Sequence, residues 1–197
     1  MVDYHTDVLI VGGGLTGASC LLACQYYGIQ AMMIDSQALQ TQSNLEPRPL
    51  TLSPASVAIL DNLGIWPKLR AYAIPIHEIH ISQKGHFGLA HLQNKNRQPL
   101  GFVIEMHTIN QILTSSLPLE SVLAPAQLIA FDCKTKIATL KMQETMLSIH
   151  TNLLIAADGT HSTVRNLLSC MMTTYDYQQT AIVSIVQLDH DHKHVAY

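Results

Sequence analysis

The fold of this chain is decided by Thr6-Asp7-Val8-Leu9-Ile10-Val11-Gly12-Gly13-Gly14-Leu15-Thr16-Gly17. Residues 6–11 form an apolar run without alternation, the pattern of a strand buried on both faces of a parallel sheet. A G-x-G-x-x-G pattern follows at once through Gly12, Gly14 and Gly17. Leu15, Ala18, Leu21 and Leu22 then recur at helical spacing, and Gly28 stands where a helix would stop. Residues 29–34 predict a second buried strand ending at Asp35. One β-α-β unit therefore opens the chain.

In that setting each glycine has a physical task. Gly12 permits a tight turn, Gly14 lets backbone approach a pyrophosphate, and Gly17 lets helix and strand pack closely. The helix N-terminus offers unpaired N–H groups and partial positive charge to phosphates. Asp35, eighteen residues after Gly17, is placed to accept hydrogen bonds from an adenosine ribose. The alternative is a glycine turn without a ligand. Between NAD and FAD the loop alone does not choose.

Beyond this unit, residues 36–52 read as a loop, polar at first and then proline-bracketed around Arg48. Ser53-Pro54 starts a helix that turns Val57, Leu60 and Leu63 inward and stops at Gly64. Residues 76–92 read as extended, with Ile79 and Ile81 on one face. Thr108 is placed to cap a helix bearing Ile109, Ile112 and Leu113. Short strands are expected within 120–150, including Leu128–Phe131. Leu153–Ala157 reads as a further buried strand, after which Asp158-Gly159-Thr160 turns into a helix carrying Val164, Leu167 and Leu168. A last strand is expected over 181–188.

Composition narrows the class. Apolar residues make up 48% of the 197 and charged residues 13%, about half the usual charged share. Either part of the surface is covered by something else, or the chain is a piece of a larger protein. The net charge of -3 and the scatter of Lys and Arg exclude nucleic acid as the main partner. Collagen, coiled coil and disordered tail are excluded by composition. No apolar run approaches the ~20 residues of a membrane helix, and Met1–His5 lacks the basic start of a secretion signal.

Cys20, Cys24, Cys133 and Cys170 contain no Cys-x-x-Cys pair and read as reduced, buried thiols of a cytosolic protein. His77 and His80, three apart in an expected strand, would face opposite sides. Residues 189–194 form a polar, histidine-rich turn. No metal site is expected. No H-E-x-x-H, P-loop or G-x-S-x-G pattern occurs.

A second motif adds a resemblance. Asp158-Gly159-Thr160-His161-Ser162-Thr163-Val164-Arg165 matches D-G-x-x-S-x-x-R after a buried strand. Together with the glycine loop it resembles the aromatic-hydroxylating flavoprotein monooxygenases, the p-hydroxybenzoate hydroxylase group. Residues 79–86, 104–107, 155–162 and 175–181 are most similar to the ubiquinone-biosynthesis hydroxylases, in particular the 2-octaprenyl-6-methoxyphenol hydroxylases.

The resemblance implies an α/β fold. A Rossmann-like FAD-binding domain of glutathione-reductase type would combine a parallel sheet with a β-meander, beside part of a β-sheet substrate domain. Residues 1–75 and 101–170 would be the FAD-binding domain, and 76–100 and 171–197 the partial substrate domain. The implied cofactor is FAD with NAD(P)H as co-substrate, and the implied substrates are a polyprenylated phenol and O₂. Gly12, Gly14 and Gly17 would cradle the pyrophosphate and Asp35 the ribose, where the family more often has Glu. Arg48 and Gln111 match positions near the cofactor, and Asp158 and Gly159 would serve FAD and NAD(P)H through their turn. Arg48 could equally be a solvated loop cation, Gln111 a helix-surface residue, and Arg165 an anchor for its own helix. Few protein acid–base groups are needed, so no catalytic side chain is assigned.

The resemblance also implies a cytoplasmic protein, peripheral to the inner membrane or within a ubiquinone-biosynthesis complex. Two departures stand out. Glu46-Pro47 replaces the family's usual Asp-Gly before the arginine. The family is about twice this length, and its C-terminal flavin motif has no counterpart here, so the chain reads as an N-terminal half. Two rivals stay open: another FAD-dependent oxidase or dehydrogenase, and an inactive or partner-dependent remnant.

Overall fold

The computed structural model describes residues 2–39, 48–184 and 186–197. In chain order the first elements are β1 (Tyr4–Val11), α1 (Leu15–Tyr26), β2 (Ala31–Ile34), β3 (Pro49–Leu52), α2 (Pro54–Asn62), α3 (Trp66–Leu69), β4 (Ile74–Ile76), β5 (Glu78–Ser82) and β6 (Leu89–Gln93). There follow β7 (Gly101–Glu105), α4 (Met106–Ser115), β8 (Val122–Leu123), β9 (Gln127–Asp132), β10 (Ile137–Met142), β11 (Thr145–Ala156), α5 (Thr163–Leu167) and β12 (Val195–Ala196). The chain divides into two compact units, 1–43 with 110–175 and 44–109 with 176–197.

The first unit is one sheet in the order β8-β2-β1-β11-β10-β9. β8, β2, β1 and β11 run parallel, whereas β9, β10 and β11 form an antiparallel meander. β11 serves both: Thr145–His150 pair with β10, and Ile149–Ala156 pair with β1. Leu9, Val11 and Ile34 of the parallel strands share a core with Leu128, Ala138, Leu140 and Ile149 of the meander and with Val164. The meander therefore closes over one face of the parallel strands. Val8, Ile10 and Met33 alternate to the other face, and α1 packs on β1 and β2 through buried Ala18, Leu21 and Leu22.

α1 stops as expected. Gly28 has φ +68°, the Gly28 N–H donates to Gln25 O and the Ile29 N–H to Cys24 O, which is a Schellman closure. Leu153–Ala157 differ from the expected buried strand: they lie at the end of β11, and Leu153 is 54% exposed. α1 covers β1 and β2 but leaves this face of β11 open.

In the second unit β3, β7 and β4 form one antiparallel sheet, and in another β12 runs parallel and β6 antiparallel to β5. The expected loop over 36–52 is corrected at its end, where Pro49–Leu52 is β3. Proline is tolerated there because Pro49 is the first residue of an edge strand. Glu46 and Pro47 lie outside the described residues. Ser53 caps α2 by accepting the Ser56 N–H at 3.1 Å, Leu60 is buried, and Val57 and Leu63 are half-buried. Trp66 meets Phe102 edge-on, with ring centroids 4.9 Å apart.

Thr108 is not a cap: α4 begins two residues earlier, at Met106. The Met106 N–H donates to the Arg48 carbonyl, which satisfies one of the helix's orphan donors from outside. Ile109 and Leu113 are buried as expected.

The strand expected over 181–188 is not found among the described residues: 181–184 and 186–188 belong to no strand, and Ile185 lies outside the described residues. Ile182 is 93% exposed. An apolar run becomes a strand only when neighbouring backbone takes up its N–H and C=O groups.

His77 stands just before β5 and meets His194, and His80 on β5 meets His91 and Tyr197. Among the described residues no group of three or more His, Cys, Asp or Glu could hold a metal ion. No helix among them is long and apolar enough to cross a membrane.

Candidate functional site

The carboxyl ends of β1, β2 and β11 lie side by side, with Val11 in register with both Ile34 and Ala156. Open α/β sheets bind ligands at this edge. The turns that leave the three strands are Gly12–Gly14, Asp35–Gln37 and Ala157–Gly159. Together with Ala126–Leu128 and Thr163 they line a cavity of about 440 Å³.

Gly12 is required twice over. Its φ is +110°, and a Cβ there would lie 2.4 Å from the Ala157 carbonyl oxygen. Gly17 is required by packing, since its Cβ would lie 1.8 Å from the Gly12 carbonyl oxygen. Gly14 is different: its φ is -70°, it caps α1 without a side chain, and a Cβ would meet nothing within 4 Å. Space is thus left open over the first turn of α1, where free N–H groups favour an anion.

Asp35 is held on both sides. Its Oδ2 accepts the Gly13 N–H at 2.5 Å and its Oδ1 accepts the Gln37 N–H at 2.7 Å. Its backbone is pinned by Asp35 N–H to Leu123 O and Ala126 N–H to Asp35 O. The carboxylate therefore stands beside the glycine loop, at the mouth of the same cavity.

The carboxylate of Asp158 is used within its own turn. It accepts Ser162 Oγ–H at 2.6 Å, the Thr163 N–H at 2.6 Å and the Val164 N–H at 3.1 Å. Ser162 in turn caps α5 by accepting the Arg165 N–H, and the Arg165 guanidinium donates to Thr160 O at 2.7 Å. Partial burial pushes the Asp158 carboxyl up. The bonds from Ser162, Val164, Thr163 and its own N–H outweigh that and hold it below the ordinary carboxylate value. Arg165 is thus the anchor of its own turn.

The structure brings Gly12, Gly14, Asp35, Asp158 and Gly159 to one cavity, with Gly17 beneath them. Arg48 is exposed in the second unit, and Gln111 is exposed on α4; neither lines this cavity. Sequence reasoning missed Gly13, whose N–H orients Asp35 and whose Cβ would lie 2.9 Å from Asp35 Oδ2. The G-x-G-x-x-G pattern passes over that position, although a third glycine there was visible. It also missed Gln37 and Ala126–Leu128, which only the tertiary fold brings to the site.

An open helix N-terminus without side chains, a fixed carboxylate one turn away and a second backbone turn opposite fit the diphosphate and ribose of a dinucleotide. The cavity volume lies in the range of small-molecule sites.

Comparison with known proteins agrees. Residues 5–196 match the FAD binding domain model. The chain is 32% identical over 199 residues to the ubiquinone hydroxylase UbiL of Rhodospirillum rubrum, covering 97% of this chain and 46% of that protein. It is 26% identical to the 3-demethoxyubiquinol 3-hydroxylase of Escherichia coli, covering 97% and 51%. It thus spans about half the length of these relatives. Among solved structures, P. aeruginosa PqsL matches with a TM-score of 0.71 at 18% identity, covering 88% of this chain and 48% of that one. The flavin-dependent monooxygenase PieE matches at 0.67 and 19%, covering 86% and 33%. These two show the fold, including the parallel sheet with its meander. The chain belongs to the FAD binding domain family.

Proposed function

We propose that the protein hydroxylates a polyprenylated phenol in ubiquinone biosynthesis, using FAD, NAD(P)H and O₂. The observation that carries this is the single cavity at the parallel strand ends, where Gly12, Gly14, Asp35, Asp158 and Gly159 meet. The names of the relatives, two of them ubiquinone-pathway hydroxylases, support the substrate class.

In this reading the N–H groups of the first turn of α1 hold the pyrophosphate over Gly14. Gly12 and Gly17 keep the loop low enough to admit it, and Asp35 accepts the ribose hydroxyls. Asp158 positions the Gly159 backbone. Arg48 and Gln111 are the further residues this reading assigns to the cofactor. Residues 1–75 and 101–170 serve FAD, and 76–100 and 171–197 begin the substrate domain. When bound, FAD supplies the electron transfer and oxygen chemistry; the chain binds and orients it and excludes water. The polyprenyl tail of such a substrate would bring a cytoplasmic enzyme into peripheral contact with the inner membrane or with a lipid-handling complex.

A second reading is favoured by the half-length match: turnover requires a further polypeptide equivalent to the rest of the relatives. One experiment addresses both. The purified chain is denatured to release flavin, and the apo-protein is titrated with FAD. Stoichiometric binding is expected, and no binding at excess FAD would overturn the site. NAD(P)H oxidation coupled to O₂-dependent hydroxylation of the phenol by the isolated chain would remove the second reading. Peroxide as the only product would point to an oxidase.

A further inference from the structure

We propose that the second unit carries a binding site for a small aromatic acid, seated against Trp66 and Phe102 with its carboxylate on Arg70. This goes beyond the cofactor reading and does not depend on it. The site is a cavity of about 390 Å³ whose lining falls within residues 44–109, and it shares no lining residue with the cavity at Gly12 and Asp158. That volume lies in the range of small-molecule sites.

Chain order and strand register build the walls. Trp66 opens α3, and Arg70 follows the last residue of that helix. Pro75 of β4 is in register with Phe102 of β7. The rings of Trp66 and Phe102 meet edge-on at 4.9 Å, and Trp66 is 8% exposed, so this aromatic wall is fixed in place. Ala73 and Pro99 complete the apolar lining. A flat aromatic ring gains more against such a wall than an aliphatic group does.

The polar lining favours one sign of charge. Arg70 and His77 line this cavity, and a second cavity of about 250 Å³ shares His77 and adds Gln93 and Arg97. Neither cavity is lined by an acidic residue. Among the described residues no carboxylate pairs with Arg70 or Arg97. His77 is held in position: its N–H donates to the His194 carbonyl at 3.0 Å, and its ring meets His194 edge-on. A guanidinium beside flat apolar walls complements a ring that bears a carboxylate, because its planar fork can donate to both oxygens at once.

The test uses Trp66 as its own reporter. It is the only tryptophan in the 197 residues, so its indole N–H gives a single signal in the N–H correlation spectrum of the isotope-labelled chain. Titration with benzoate is expected to move that signal saturably, with a Kd of roughly 1 mM, as so small a ligand allows. Benzamide lacks the charge and cyclohexanecarboxylate lacks the aromatic ring, and each should bind at least about fivefold more weakly. Arg70→Gln should weaken benzoate by at least about fivefold. Because Arg70 is exposed, its replacement leaves the fold intact, which an otherwise unchanged spectrum verifies. No saturable shift of the Trp66 signal, benzamide or cyclohexanecarboxylate binding as tightly as benzoate, or an R70Q variant of unchanged affinity would each overturn the proposal.

Discussion

Gly17 lies directly beneath Gly12, close enough that a Cβ on Gly17 would stand 1.8 Å from the Gly12 carbonyl oxygen. α1 and the turn after β1 are therefore in backbone contact at the point where the cofactor loop is formed. Gly14, three residues earlier, has open space where its Cβ would be. Two glycines of one motif thus carry different burdens, one for packing and one for the ligand.

Gly17→Ala should cost about 1 to 3 kcal/mol of stability, as overpacking does. Gly14→Ala should cost less, about 0.5 to 1 kcal/mol, because nothing opposes its Cβ and only the poorer N-cap preference of Ala counts against it, while lowering FAD affinity. Urea denaturation and FAD titration of both variants separate the two effects. Equal loss of stability in the two would show that Gly14 is also a packing position.

Asp35→Ala removes the acceptor of the Gly13 and Gln37 N–H groups. A loss of about 1 to 2 kcal/mol is expected from the two bonds, with weaker FAD binding. Asp35→Glu, which keeps the carboxylate, should bind FAD better than Asp35→Ala. If the alanine variant binds FAD as tightly as the parent, Asp35 has no part in the site.

Asp158 gives a pH signature. Its carboxyl is held below the ordinary value of 3.8, so its contribution to stability is complete above that value. It is lost as pH falls through the lower folded-state value. The difference in urea midpoint between the parent and Asp158→Ala should be constant from neutral pH to about pH 5 and shrink below pH 4. The group is half-buried and partly open to solvent, so the difference should be at the low end of about 1 to 2 kcal/mol. A difference that stays constant to pH 3 would mean that Asp158 acts by shape and not by charge.

The cysteines should separate by reactivity. Cys24 is 7% exposed, and burial, then the neighbouring Cys20, pushes its thiol above 9.0. Cys133 and Cys170 are exposed. At pH 8 an alkylating reagent followed by peptide mass spectrometry should mark Cys133 and Cys170 at least about tenfold faster than Cys24. Equal rates would show that α1 opens readily from the sheet.

Local pattern was sufficient for β1, α1, β2, the Ser53 cap and the Asp158 turn. Each is specified by nearest neighbours along the chain: an apolar run, a helical repeat, a hydroxyl before proline, a glycine in positive φ. The same local logic failed for Thr108, because α4 already begins at Met106, whose N–H finds the Arg48 carbonyl. It failed again at 181–188, because a strand depends on a partner that periodicity does not reveal.

By itself, then, the sequence determined the β-α-β unit, the glycine loop and the acidic residue that follows it, since these follow from steric rules within a few residues. Only the tertiary structure decided that Gly13 orients Asp35, that Asp158 is engaged by Ser162, Thr163 and Val164, and that Ala126–Leu128 wall the cavity. It also decided that one face of β11 stays open. Those features depend on which segments meet across long separations, and such meetings are settled by the packing of the whole sheet.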